Sequence, residues 1–101
     1  MRMWCAPARG MCRPHLLGEH VELHMIVGAL NKGQNLQGFY DKGLIDTRLI
    51  IIRHADLANE MERRGYTHRS PLQPFADPGL GHITKDSFAQ LTERCRLCSA
   101  G

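Results

Sequence analysis

His15, Glu19 and Glu22 follow one another at spacings of four and three. On a helix those spacings put an imidazole and two carboxylates on one side. Such a face suits proton transfer, because one group can donate while another accepts. The same pattern also suits an exposed helix edge. Ahead of it runs an arm, Met1 to Arg13, that holds Arg2, Arg9 and Arg13 and no carboxylate. An α-amine titrates near about 7.7–8.0 against about 10.4 for lysine, so far more of it is free base at neutral pH. A free amine is a nucleophile for Schiff-base chemistry. An arm that sets its amine beside a helix-borne acid can therefore act on a sugar carbon.

Two further groups could hold a metal. His20 and His24 are four apart with Glu19 alongside, but Val21-Glu22-Leu23 lies between them, so this is not the H-E-x-x-H zinc motif. Packing is the expected role of this pair. Cys95-Arg96-Leu97-Cys98 is a C-x-x-C, half of a zinc knuckle, and Cys5 and Cys12 could complete a four-cysteine set. Cys95 and Cys98 also fall on a stripe with Phe88 and Leu91, which explains them as buried thiols. The expected reading is no cofactor. Structural zinc on Cys5, Cys12, Cys95 and Cys98 is the alternative.

The elements that must position these groups are mostly helical. Leu16, His20, Leu23, Val27 and Leu30 form one stripe of a helix from about Pro14 to Asn31, with Pro14 in its first turn and Lys32-Gly33 at its end. A connector, Gln34 to Ile45, follows, with Phe39 and Tyr40 capping the core. Asp46 or Thr47 can cap a second helix that Gly65 stops. Thr67 to Lys85 holds Pro71, Pro74, Pro78, Gly79 and Gly81 and reads as a long surface loop. A last helix runs from near Asp86 to about Cys98. The expected fold is all-α: a compact single domain, residues 1–101, of about three helices with a Pro/Gly-rich loop before the last.

Composition narrows the function. The 101 residues are 43% hydrophobic and 23% charged, ordinary values for a globular domain. No apolar run approaches the ~18 residues of a membrane span. The arm lacks the apolar core of a signal peptide, so the expected location is intracellular, the cytoplasm. The formal charge is +3, and 10 of the 13 basic residues are arginine. Arginine suits bidentate phosphate contacts. Arg2, Arg9 and Arg13 form one cluster, and Arg63, Arg64 and Arg69 with His68 form another. They are either solvated faces or a nucleic-acid footprint.

Taken together these residues resemble the pyrimidine dimer DNA glycosylases, the phage-type endonuclease V family. The likeness rests on Met1-Arg2, on the helix Pro14-His15-Leu16-Leu17-Gly18-Glu19-His20-Val21-Glu22-Leu23, on Phe39-Tyr40-Asp41-Lys42 and on Arg53 to Tyr66 ending Arg63-Arg64-Gly65-Tyr66. It covers residues 1–70 as the catalytic core and leaves residues 71–101, the loop and last helix, outside. The resemblance implies a glycosylase and abasic-site lyase. The Met1 α-amine would attack C1′ of the damaged nucleotide, and Glu22 would stabilise the cationic sugar and move protons. Met1 would be retained, since the bulky Arg2 blocks its removal. Arg2 and His15 match basic groups near the phosphates and the lesion. Arg9, Arg13, Arg63, Arg64 and Arg69 complete the expected DNA contacts, and the expected partner is double-stranded damaged DNA, with no obligate protein partner. Val21 and Met25 stand where the family pattern has arginines. The contrasting reading is a non-catalytic helical module that binds nucleic acid, stapled by zinc.

Overall fold

The computed structural model describes residues 1–67 and 70–98. Its first helix, α1 (Arg13–Asn31), starts after Cys12, with Pro14 in the first turn where a missing N–H is harmless. Leu16, Leu23, Ile26 and Val27 line its buried side. It ends where Gly33 adopts φ +71° and the Gln34 N–H closes onto the Ala29 carbonyl at 3.0 Å. A short helix, α2 (Gln37–Asp41), brings Tyr40 into the core. Helix α3 (Ile50–Arg63) is entered through a 3-10 turn over Thr47–Leu49, whose Arg48 N–H is capped by the Asp46 carboxylate. Gly65, at φ +84°, terminates it, with the Tyr66 N–H returning to the Met61 carbonyl at 2.8 Å. Helices α1 and α3 pack on each other, and α4 (Ser87–Arg94) closes the chain's last turn onto the arm.

The all-α expectation is corrected. Strand β1 (Leu44–Asp46) pairs antiparallel with β2 (Gly81–Ile83), aligning Ile45 with His82. The domain is therefore mixed, with four helices and a two-stranded sheet among the described residues. The long loop is not structureless: it ends in β2. Each strand has three residues, too few for an alternation to register in sequence. Gly81 makes the pairing possible. Its φ is +87°, and a Cβ there would lie 2.0 Å from the Ile45 carbonyl oxygen.

The last helix is also shorter than its stripe suggested. It stops at Arg94, and Cys95 is extended at φ −140°. Cys95 to Cys98 form a turn rather than a helical face, with the Cys98 N–H donating to the Cys95 carbonyl at 3.3 Å.

Candidate active site

The arm is held from inside the molecule. Met3 is fully buried, and its N–H donates to the Leu44 carbonyl at 2.8 Å. The Trp4 carbonyl accepts a 2.6 Å hydrogen bond from the Ser87 hydroxyl. Arg2 lays its guanidinium over the Trp4 ring, 3.8 Å from the centroid, and donates to the Gln90 side chain. Arg94 approaches the same ring at 5.6 Å. Burial, and then the Arg94 charge, pull the Arg2 pKa below its ordinary value.

Two arginines of α3 and its end fasten the rest of the arm. Arg53 donates to the Ala6 carbonyl at 2.6 Å and grips Glu19 through both carboxylate oxygens, at 2.6 and 2.9 Å. Both side chains are buried. Arg64 donates to the carbonyls of Ala8, Arg9 and Met11 at 3.2, 3.2 and 2.6 Å. Both Arg63 and Arg64 pair with Glu60 at 2.6 Å. Their hydrogen bonds hold the Glu60 carboxyl down at about 2. The two carboxylates of the α1 face thus part ways. Glu19 is committed to a buried ion pair, and Glu22 is half-buried with no ion pair among the described residues.

Burial raises the Glu22 pKa above the ordinary carboxylate value. The Met1 α-ammonium is the strongest influence in the opposite direction, followed by a hydrogen bond from the Arg2 N–H. The start of the chain and Glu22 therefore share one corner of the molecule. A cleft of about 190 Å³ opens beside it, lined by Trp4, Pro14, His15, Gly18, Glu19 and Glu22. A second hollow, about 450 Å³, is lined by Met1, Met25, Gly28, Ala29, Lys32 and Gln34. The α1 residues of the two hollows succeed each other at helical spacing along one face, with Glu22 where they meet. A wider hollow of about 520 Å³ lies between arm and α3, lined by Arg53 and Arg63 together with Asp56 and Glu60, and both arginines are already paired with carboxylates.

The basic residues singled out by sequence divide by environment. Arg9, Arg13 and Arg63 are exposed, and Arg13 lies over the Tyr66 ring at 4.7 Å. Arg2 and Arg64 are half-buried and spend donors on the protein itself. His15 is half-buried, its ring edge-on to Trp4 at 6.1 Å. Arg69 lies outside the described residues. Val21 and Met25 are exposed on α1. Sequence reasoning missed Trp4 and Arg53. The one available signal for Trp4 was its place as the chain's only tryptophan, two residues after Arg2.

Two clusters of possible metal ligands occur among the described residues. One joins Cys12, His15, Cys95 and Cys98, and the other joins His20, His24 and His54. Cys5 belongs to neither. It has an unusual φ of +52°, its N–H points at Glu19, and burial pushes its thiol up to about 12. The three imidazoles pack edge-on or tilted at centroid distances of 4.8 to 5.2 Å.

No described helix is long and apolar enough to cross a membrane. Residues 1–74 match the family model described as pyrimidine dimer DNA glycosylase. No curated protein and no solved structure matches the chain at a significant level.

Proposed function

The chain belongs to the pyrimidine dimer DNA glycosylase family, a DNA repair family whose substrate is DNA, and from that premise we propose that it is a glycosylase and abasic-site lyase using the Met1 α-amine and Glu22. The amine attacks C1′ of a damaged nucleotide, here a pyrimidine dimer or a related lesion in double-stranded DNA. The glycosidic C–N bond breaks and the base departs with a proton. The sugar ring opens as the amine loses its protons, leaving a C1′ imine. Removal of a C2′ proton then expels the 3′ phosphate, which cuts the strand. Water hydrolyses the imine and returns the free amine.

Glu22 serves this sequence in two ways. As a carboxylate it stabilises the cationic sugar, and as a proton carrier it moves protons between amine, ring oxygen and C2′. The observation that carries the reading is the company Glu22 keeps: its leading favourable charge is the α-ammonium of Met1. Its half-buried position keeps water from screening the pair fully. Exposed Arg9, Arg13 and Arg63 serve phosphate contacts, and Arg69 is assigned to the same surface from sequence. Arg2, Arg64 and His15 order the arm and the cleft floor that the DNA meets.

The test is chemical trapping. Purified protein is mixed with duplex DNA containing a thymine dimer or an abasic site, and borohydride is added. A covalent protein–DNA adduct mapping to the Met1 nitrogen is expected, and one extra N-terminal residue should abolish it by displacing the amine. No adduct on either substrate would overturn the proposal.

A further inference from the structure

The C-x-x-C turn lies beyond the segment that matches the family, yet it meets the arm. Cys12 Sγ is 3.1 Å from His15 Nδ1 and 3.7 Å from Cys95 Sγ, and Cys98 Sγ is 3.6 Å from His15 Nδ1. All four donor atoms lie within 4.8 Å of one another. A tetrahedral zinc, with bonds of about 2.3 Å to sulfur and about 2.0–2.1 Å to nitrogen, would set edges of about 3.8 Å between sulfurs and about 3.6 Å between sulfur and nitrogen. Two of the three distances match those edges closely, and the third, between Cys12 and His15, is short by about half an ångström. A disulfide does not explain them, since bonded sulfurs lie about 2.05 Å apart.

We propose that Cys12, His15, Cys95 and Cys98 bind one structural zinc ion. The donor set is Cys₃His, assembled from C-x-x-H at the start of α1 and C-x-x-C after α4. Sulfur-rich tetrahedral sites select zinc over the harder divalent ions. The Cys12 N–H donates to Cys98 Sγ at 3.3 Å, the kind of backbone hydrogen bond that steadies a ligand thiolate. Without a metal, three thiols and an imidazole crowd together on weak S–H contacts alone. Binding replaces thiol protons with metal–sulfur bonds, and the protons leave to solvent.

The site ties two parts of the chain that are 83 residues apart. Its His15 ring meets Trp4 edge-on at 6.1 Å, the same ring that Arg2 and Arg94 approach. With Nδ1 on the metal, Nε2 carries the remaining ring proton, and His15 also lines the cleft beside Glu22. The metal thereby fixes the imidazole that borders the cleft without taking part in bond changes.

Metal content, read without DNA, tests this site independently of the lyase reading. Protein purified under reducing conditions is expected to contain one zinc per chain. Replacement by cobalt(II) should give the visible bands and thiolate charge-transfer absorption of a tetrahedral sulfur-rich site. Cys95→Ser and Cys98→Ser should each lose those bands, and Cys5→Ser should keep them. Should a ligand variant not fold, the wild type still decides. Chelation should lower its thermal midpoint and expose three additional reactive thiols. Wild-type protein that takes up neither zinc nor cobalt, a Cys12–Cys95 disulfide by mass spectrometry, or loss of metal in Cys5→Ser would each overturn the proposal.

Discussion

Glu19 and Glu22 are one helical turn apart, yet Arg53 takes both oxygens of the first and leaves the second to the start of the chain. Identical residue types on one face thus acquire different chemistry. The first is held through both oxygens by a buried guanidinium. The second is drawn toward its neutral form by burial and held back by the Met1 ammonium.

Glu22→Gln keeps the shape of the side chain and removes its proton chemistry. Turnover on abasic-site DNA should fall by about 10²–10⁴-fold, the range for losing a positioned acid or base. Affinity for the same DNA should stay within a few-fold. Single-turnover kinetics and a binding titration measure the two separately. Unchanged turnover would strip Glu22 of its assigned role.

The same substitution has a stability signature. The folded-state pKa of Glu22 is raised, so its contribution is fully present below the unfolded value and is lost as pH rises through the folded one. Glutamine does not titrate. Relative to wild type, Glu22→Gln should therefore gain in thermal midpoint from pH 4 to pH 8. A variant midpoint that falls or stays level relative to wild type over that range contradicts the burial argument.

Arg53→Met should destabilise strongly. It strips the partner from a fully buried carboxylate and frees the Ala6 carbonyl, a class of change worth about 3–5 kcal/mol. Urea unfolding reads it as a large drop in midpoint. A loss under about 1 kcal/mol would mean that Glu19 is neutral or solvated after the change.

Gly81→Ala and Gly79→Ala form a matched pair. Both glycines have positive φ, at +87° and +66°, so each substitution carries backbone strain of about 1–3 kcal/mol. Only at Gly81 does the new methyl strike the Ile45 carbonyl, while Gly79 faces open space. Gly81→Ala should be clearly the more damaging in thermal unfolding. Equal effects would show that sheet pairing tolerates displacement there.

The helical frame was readable because its signals are local. Pro14, the Leu16-to-Leu30 stripe, the Asp46 cap and the Gly65 stop all act within a few residues of themselves. The strands were not, since Leu44–Asp46 and Gly81–Ile83 define each other only across the chain. The same distance hid the division of labour between the two glutamates. Arg53 lies 34 residues from Glu19. It also hid which donor side chains gather, because His15 joins Cys12, Cys95 and Cys98 through folding rather than spacing, and Cys5 is not among them. Cys95 and Cys98 fitted a helical stripe on paper, but the helix ends at Arg94 and the stripe is a coincidence of spacing.

The carbonyls of Ala6, Ala8, Arg9 and Met11 accept hydrogen bonds from Arg53 and Arg64, residues made some fifty positions later. During synthesis these residues therefore emerge ahead of both arginines, and a chain cut short before Arg53 has neither of the two guanidinium anchors. A ribosome-bound fragment that ends before Arg53 therefore holds residues 6–11 without the guanidinium contacts that order them in the folded domain.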